Sequence, residues 1–367
     1  MNQRSFALSL FDVDEHGASN VVALGPGAAA ARTERNASSP SKDGSGDLTS
    51  GEDSMLGTLV WFSVSDAVRL TPDTLREAIT EAGLEAAALM PQSRGGAAAL
   101  SRASEAAEVR GARLYHDRHG AAIEKEMHAN VLIRTAARGV KQIVTEILDA
   151  AERRLFYQPL ATVKPTEDGG ELEVKVICDG QLLAVERAVV EHLRGYFDFE
   201  KDRHDAEGVR RVIGRVLYSA AAVPLRNSGG MYFIPRQHDY ASRRLLSFVD
   251  EVRERAEDAP ARKARPSRAM SVPLVDRQEY REVVSESLEE YVEKEAKALV
   301  KEMSGLLKGE QAVTPRRGRG FIERVSKLKE DVEAYEELLQ MRASEARASL
   351  ELAFKEARAL FARVGEG

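Results

Sequence analysis

The sequence predicts an α+β protein: an antiparallel β-meander with packed helices, then a helical region with a β-hairpin, then a long C-terminal antiparallel coiled-coil hairpin. Three observations support this order. Short runs rich in β-branched and aromatic residues alternate with turn signals over residues 111–178. Apolar residues recur at helical spacing from residue 181 onward. Beyond Leu274 the only proline is Pro315, and the apolar spacing is that of long paired helices.

Composition divides the chain into five consecutive segments. Residues 14–54 are rich in Gly, Ala, Ser, Asp and Asn, and such a stretch buries too little apolar surface to offset its ordering entropy. The N-terminal segment is therefore predicted to be a short strand followed by a disordered linker. The segments are this N-terminal one (1–54), an α+β domain with an antiparallel sheet (55–180), a helical region (181–257), a basic linker (258–273) and an α-helical hairpin (274–367).

The α+β domain is predicted to begin with a strand over 56–64 and a helix over 70–84. Thr71 is a candidate N-cap, and Pro72 fits the first helical position, where a missing backbone N–H leaves no helical hydrogen bond unmade. A second helix is predicted over 96–109. Five strands separated by turn residues are then expected to pair in sequence order, namely 112–118, 128–136, 140–148, 153–164 and 171–178.

Helices and one hairpin are predicted for the rest of the chain. The helical region is expected to contain helices over 181–197, 205–222 and 239–257, with a hairpin formed by AAVPLR and MYFIPR around the turn NSGG. Two long helices, 277–307 and 321–363, are predicted to follow, joined by a Gly-rich turn. The apolar seam of the second jumps by four residues to Ala343, which we interpret as a stutter in a heptad pattern.

A local excess of arginine marks the helix over 205–222 and the hairpin after it. From Gly208 to His238 the chain carries five arginines and no acid. Gly208, Arg211, Arg215 and Tyr218 fall on one helical line, opposite the apolar stripe, and an arginine fork suits phosphates and guanine edges. Two further clusters lie in the basic linker and at the predicted tip of the C-terminal hairpin. The predicted nucleic-acid-binding residues are Arg210, Arg211, Arg215, Tyr218, Arg226, Asn227, Ser228, Arg236, Arg316, Arg317 and Arg319.

Residues 181–238 resemble part of a winged-helix DNA-binding domain, with 205–222 as the recognition helix and the hairpin as the wing. The resemblance implies a winged-helix-like region, although only two helices precede the wing where that fold has three. The alternative is an ordinary α+β layer with a solvated arginine face. Separately, GTLVWFSVSDAVRLTPDTLREAITEAGLEAAALMP (57–91) resembles uncharacterised proteins of actinobacterial phages and plasmids. That resemblance implies a mobile-element setting and no particular activity.

Several classes of function lack support in the sequence. No nucleophile elbow, zincin helix, Walker A loop or dinucleotide loop is present, so we predict no enzyme, no catalytic residues and no cofactor. His116 and His119 would face opposite sides of a strand, so no metal site is predicted. Cys178 is the only cysteine, which indicates a reducing, cytoplasmic location. No apolar run reaches the length of a membrane span, so no membrane partner is expected.

Two functions remain open. The first is a non-enzymatic DNA-binding protein of a mobile genetic element, which contacts double-stranded DNA through the arginine-bearing helix and hairpin and oligomerises through 274–367. The second is a structural or adaptor protein whose coiled coil binds another protein, or a second copy, without nucleic acid. The charge over Arg211, Arg215, Arg226 and Arg236 discriminates between them. A continuous positive face favours the first function, and neutralising acids favour the second.

Overall fold

The computed structural model describes residues 55–93, 95–178, 181–226, 230–259, 265–308 and 315–365. The predicted N-terminal strand and linker (1–54), part of the basic linker, and Asn227 and Ser228 lie outside these residues. In chain order the described elements are β1 (Met55–Ser63), β2 (Val68–Arg69), α1 (Pro72–Glu81), α2 (Ala86–Leu89), α3 (Gly96–Ala107), β3 (Val109–Arg113), β4 (Met127–Ala137), β5 (Val140–Asp149), β6 (Arg154–Pro165), β7 (Leu172–Val176), α4 (Ala184–Glu200), α5 (Ala206–Ser219), β8 (Val223–Pro224), β9 (Met231–Pro235), α6 (Asp239–Arg255), β10 (Glu257–Asp258), β11 (Arg268–Val275), α7 (Gln278–Lys308), α8 (Pro315–Leu339) and α9 (Ser344–Gly365).

Contacts divide the described chain into two compact units, each built from separate stretches of sequence. The meander unit consists of residues 61–219 and 240–270, and the bundle unit consists of 55–60, 220–239 and 271–365. The units therefore interleave along the chain, whereas the segments derived from composition are consecutive.

A five-stranded antiparallel sheet with the order β3-β4-β5-β6-β7 forms the centre of the meander unit. Strand order equals sequence order, so the antiparallel meander predicted from the alternating pattern is confirmed. Alternate residues along each strand point to the same side of the sheet, and on one side these residues are apolar. That side packs against α3 and α4. This inner face contributes Val131, Ile133, Ile143 and Val163 to the core.

Helix α1 begins where its capping residues predict, whereas α4 begins at Ala184, three residues after its predicted start. The Thr71 hydroxyl accepts a hydrogen bond from the Thr74 backbone N–H at 3.2 Å, and Pro72 opens α1, as expected. In α4 the Glu186 carboxylate reaches back to the Leu183 backbone N–H at 2.8 Å. The short helix α2 was not predicted, because Ala86–Leu89 offers too few positions for a periodic pattern.

The hairpin of β8 and β9 belongs to a four-stranded sheet with the order β11-β1-β9-β8. The wing interpretation expects an exposed hairpin, but β9 is an inner strand whose Tyr232, Phe233 and Ile234 are all buried. A Cβ at Gly57 of β1 would lie 2.2 Å from the Ile234 carbonyl oxygen, so only glycine permits this approach of β1 to β9. The prediction of an unbroken linker over 258–273 is also wrong, since β10 and β11 form within it.

Three helices, rather than two, complete the bundle unit. Helix α7 matches its predicted bounds, but the predicted helix 321–363 is interrupted after Leu339, where Gln340 adopts a positive φ of 54°. The seam jump at Ala343 is therefore a chain break between α8 and α9 and not a stutter. Arg281 near the start of α7 donates to the Leu339 carbonyl at 3.4 Å, so α7 and α8 run antiparallel. The three helices share one apolar core with residues of the four-stranded sheet.

Candidate nucleic-acid interface

The three predicted arginines of α5 are each bound to neighbouring groups of the meander unit. Arg210 Nη2 lies 2.8 Å from Asp66 Oδ1, and Arg211 Nη2 lies 2.5 Å from Glu207 Oε1. Arg215 Nη1 donates to the backbone carbonyls of α2 and the residue after it, at 3.0 Å to Leu89 and 2.9 Å to Met90. Carboxylates therefore neutralise two guanidiniums, and the third satisfies helix-end carbonyls that lack helical partners.

The predicted exposed line on α5 is wrong at its leading end. Gly208 is buried, and a Cβ there would lie 3.1 Å from the Cβ of His204. Tyr218 at the other end is 37% exposed. The prediction that Gly208 is exposed is wrong because this residue lies on the side of α5 that packs against the preceding turn. Apolar periodicity alone does not reveal that contact.

The remaining predicted residues belong to the bundle unit, whereas α5 belongs to the meander unit. Arg226 and Arg236 are exposed at the two ends of the hairpin. Arg316, Arg317 and Arg319 lie in the first turns of α8 and not in a Gly-rich turn, because α8 begins at Pro315. Arg316 and Arg319 are exposed, and Arg317 Nη2 lies 3.8 Å from Glu302 Oε1.

The outer face of the five-stranded sheet, opposite α3 and α4, carries a second set of cations that the sequence analysis treated only as strand residues. Register brings Arg113, His128, Leu148 and Arg154 directly opposite one another across four strands. The next row contains Asn130, Glu146 and Tyr157. Because neighbouring strands lie about 4.8 Å apart, Arg113 and Arg154 are separated by three strand intervals, or about 14 Å.

Each of these two arginines lies beside an exposed tyrosine. The guanidinium carbon of Arg113 is 5.5 Å from the ring centre of Tyr115, and that of Arg154 is 5.6 Å from the ring centre of Tyr157. Tyr115 is 65% exposed and Tyr157 is 49% exposed, although large aromatic side chains ordinarily contribute to cores. We call Arg113, Tyr115, His128, Arg154 and Tyr157 the sheet-end patch.

The turn between β5 and β6 fixes one side of the sheet-end patch. Asp149 Oδ1 accepts hydrogen bonds from the backbone N–H groups of Arg153 and Ala151, at 2.9 and 3.0 Å. The backbone N–H of Arg153, followed by its guanidinium, lowers the pKa of Asp149, so the carboxylate stays charged and holds the turn. A register shift between Leu148 and Ile147 leaves Leu155 as an extra residue on β6. This bulge separates Arg154 from Tyr157 while both remain on the outer side.

Cations outnumber carboxylates on the outer face of β3–β7, within the described part of the chain. Glu146 is the nearest acid to the patch and lies 2.6 Å from Arg154, whereas Arg113 pairs with no acid among the described residues. Leu132 and Val144 at the centre of the face are buried, so its exposed part is at the ends. The outward cations on the strands are Arg113, Arg134, Arg154, Lys164 and Lys175, and the outward strand carboxylates are Glu146 and Glu173. Three of the basic groups have acidic neighbours besides Glu146: Glu108 lies 3.0 Å from Arg134, Glu173 lies 2.9 Å from Lys164, and Glu126 lies 3.8 Å from His128.

Two other features of the described residues bear on function. No three His, Cys, Asp or Glu side chains among them lie close enough together to hold a metal ion. In the loop after β3, Asp117 accepts from the backbone N–H groups of Ala121 and His119, which lower its pKa, so this carboxylate stabilises a turn. Over the same residues, no helix combines the length and the apolar character needed to cross a membrane.

Comparison with known proteins gives a family and no activity. A family model described as a family of unknown function, DUF6744, matches residues 55–366. The chain belongs to this family. The match takes in every described residue, and both units therefore lie within one family region. No curated protein and no solved structure matches the chain.

Proposed function

We propose that this DUF6744 protein is a non-enzymatic nucleic-acid-binding protein that contacts its ligand through the sheet-end patch. The observation that carries the proposal is the cross-strand row in which Arg113 and Arg154 flank His128 and Leu148, with an exposed tyrosine beside each arginine. Guanidiniums bind phosphates with paired donors, and aromatic rings bind bases, so this combination suits a polynucleotide better than a small anion.

Charge supports this choice of surface. The chain has a net charge of −6, yet cations exceed acids on the outer face of the sheet. A local positive region on an acidic protein attracts a polyanion to one surface and not to the whole molecule. Arg113 keeps its full charge available because no described acid pairs with it.

The same ligand class was predicted from the sequence, but at α5 and the hairpin. On α5, the ion pairs of Arg210 and Arg211 and the backbone bonds of Arg215 count against DNA binding and, by the criterion stated for the sequence, favour the adaptor function. The nucleic-acid proposal therefore rests on the sheet-end patch alone. Arg226, Arg236 and Arg316 are exposed on the bundle unit, and their predicted role in nucleic-acid binding stays a prediction. The mobile-element setting and the cytoplasmic location stay predictions.

The proposal is tested by fluorescence anisotropy of labelled 30-nucleotide and 30-base-pair DNA at low and near-physiological salt. Arg113→Ala with Arg154→Ala should weaken binding about tenfold or more at low salt and should flatten the dependence on salt, because two phosphate contacts are lost. The matched control is Arg210→Ala with Arg211→Ala, which removes two ion-paired arginines of the same unit that lie on α5, outside the five-stranded sheet. An equal loss in both double variants would contradict the patch, and no binding by the wild type would contradict the function.

A second candidate function is protein binding through the three-helix bundle, as an adaptor or by self-association. A groove of about 490 Å³ lies between α8 and α9, with Val332, Leu350 and Phe354 on its floor and charged side chains along its rim. An apolar groove with a charged rim suits an amphipathic helix. If it serves self-association, the mass measured by light scattering will rise with concentration, and Phe354→Asp will abolish the rise. A monomer at all concentrations would remove self-association.

A further inference from the structure

We infer that the ligand of the sheet-end patch is a single strand whose unpaired bases stack on Tyr115 and Tyr157. This inference rests on the proposed function and specifies which form of nucleic acid the patch accepts. Double-stranded DNA, the partner expected from the sequence, is then the weaker ligand.

The width of the sheet argues against a duplex. Five strands at about 4.8 Å spacing make a face about 19 Å wide, whereas the major groove of B-DNA is about 12 Å wide and the minor groove about 6 Å. A face of this width cannot enter either groove of undistorted B-DNA to reach base edges. It could touch a duplex only along phosphates, and the exposed tyrosine rings would then have no role.

The exposure of the two rings argues for unpaired bases. Each ring has an arginine on one side, at 5.5 Å for Tyr115 and 5.6 Å for Tyr157, and a large part of its surface meets solvent. A base can stack on such a ring only if it has left its own helical stack, as bases of a single strand can. The guanidinium lies over one face of each ring, so a base stacks on the other face and the guanidinium remains next to the bound strand.

The positions of the two tyrosines set a minimum ligand length. Tyr115 follows β3, and Tyr157 lies three strands away on β6, one row further along the sheet than Arg154. The lateral separation of these strands is about 14 Å, which a single nucleotide cannot span. A strand that reaches both rings must therefore pass over His128 and Leu148, which lie between them in the cross-strand row.

The experiment compares binding of the full chain to single-stranded DNA, single-stranded RNA and duplex DNA of the same sequence at low salt. Tyr115→Ala and Tyr157→Ala should each weaken single-strand binding roughly 5- to 100-fold, the range that loss of one stacked base produces. The matched control is Tyr240→Ala on α6. Tyr240 is 47% exposed and also has an arginine, Arg244, 5.2 Å from its ring centre, but it lies outside the five-stranded sheet.

The outcomes separate this inference from the proposed function. Preference for either single strand over the duplex, with a loss in both patch variants and none in Tyr240→Ala, supports the inference. Duplex binding as tight as single-strand binding, or wild-type affinity in both patch variants, overturns it. If both tyrosine variants bind with wild-type affinity but Arg113→Ala with Arg154→Ala binds more weakly, the inference about stacking is overturned while the proposed nucleic-acid binding through the patch is supported. Absence of binding to all three ligands would overturn both.

Discussion

Glu200 provides a sharp test of the meander unit, because the buried Arg69 and the partly buried Arg102 share its carboxylate. Arg69 Nε lies 2.7 Å from Glu200 Oε1, and Arg102 Nε lies 2.6 Å from Oε2. The side chains of Glu200 and Arg69 are only 4% and 3% exposed. The substitution Glu200→Gln keeps the shape but leaves the buried Arg69 guanidinium without its counter-ion, whereas Arg102 keeps Asp205 at 3.3 Å. Removing one partner of a buried pair costs about 3–5 kcal/mol, a large part of the 5–15 kcal/mol that stabilises a typical domain.

Urea unfolding measures this loss directly. With a slope of about 2 kcal/mol per molar urea, a loss of about 4 kcal/mol moves the midpoint down by about 2 M. Trp61 lies at the start of the meander unit and reports its unfolding by fluorescence, with circular dichroism as the second probe. The control is Glu254→Gln on α6, where the carboxylate is 67% exposed and 4.0 Å from Arg253, so less than about 0.5 kcal/mol is expected. Equal shifts in the two variants would refute the role assigned to Glu200.

Three further predictions concern single side chains. Tyr335→Phe should destabilise the bundle unit by about 1–3 kcal/mol in urea titrations, because the buried Ala221 carbonyl loses the hydroxyl that donates to it at 2.8 Å. Burial lowers the pKa of His204 in the folded state below its value of about 6.5 in the unfolded chain. The contribution of neutral His204 to the free energy of unfolding is therefore complete above pH about 6.5 and decreases as the pH falls towards the folded-state pKa. In His204→Gln the free energy of unfolding should depend less on pH over that interval. Gly57→Ala should prevent a stable bundle unit from forming, as judged by thermal melting. Gly195→Ala, on the exposed side of α4 with no atom within 4 Å of the new Cβ, should instead stabilise the protein by about 0.5–1 kcal/mol.

Local sequence predicts the meander well and the helical bundle less well, for a physical reason. A strand with one buried face alternates polar and apolar residues, and clusters such as Glu167-Asp168-Gly169-Gly170 mark its turns, so four of the five strands are identified from a few neighbouring residues. The first is misplaced, because it was predicted over 112–118 and β3 spans Val109–Arg113. A break between two packed helices and a stutter within one helix both shift an apolar seam by several residues. Only the backbone at Gln340, whose φ is positive, distinguishes them, and glutamine gives no sequence signal for that conformation.

The placement of arginines explains why the candidate site escaped the sequence analysis. Arg210, Arg211 and Arg215 are close together in sequence and look like a surface, yet each is bound to Asp66, Glu207 or backbone carbonyls. Their partners lie up to 144 residues away, so apolar periodicity cannot reveal them.

Arg113 and Arg154 show the opposite relation between sequence and surface. They lie in different strands and look unrelated in the sequence, but the register of three strand pairs brings them into one row. A shift of one residue in any of these pairs would turn one arginine to the face that packs on α3 and α4. The signal that the sequence did contain is the pairing of arginine with a tyrosine two or three residues later, in Arg113-Leu114-Tyr115 and Arg154-Leu155-Phe156-Tyr157. Because both arginine–tyrosine pairs fall in strands of one predicted antiparallel sheet, they can meet on one face, whereas arginines that are close together on a helix can each be bound to partners distant in sequence.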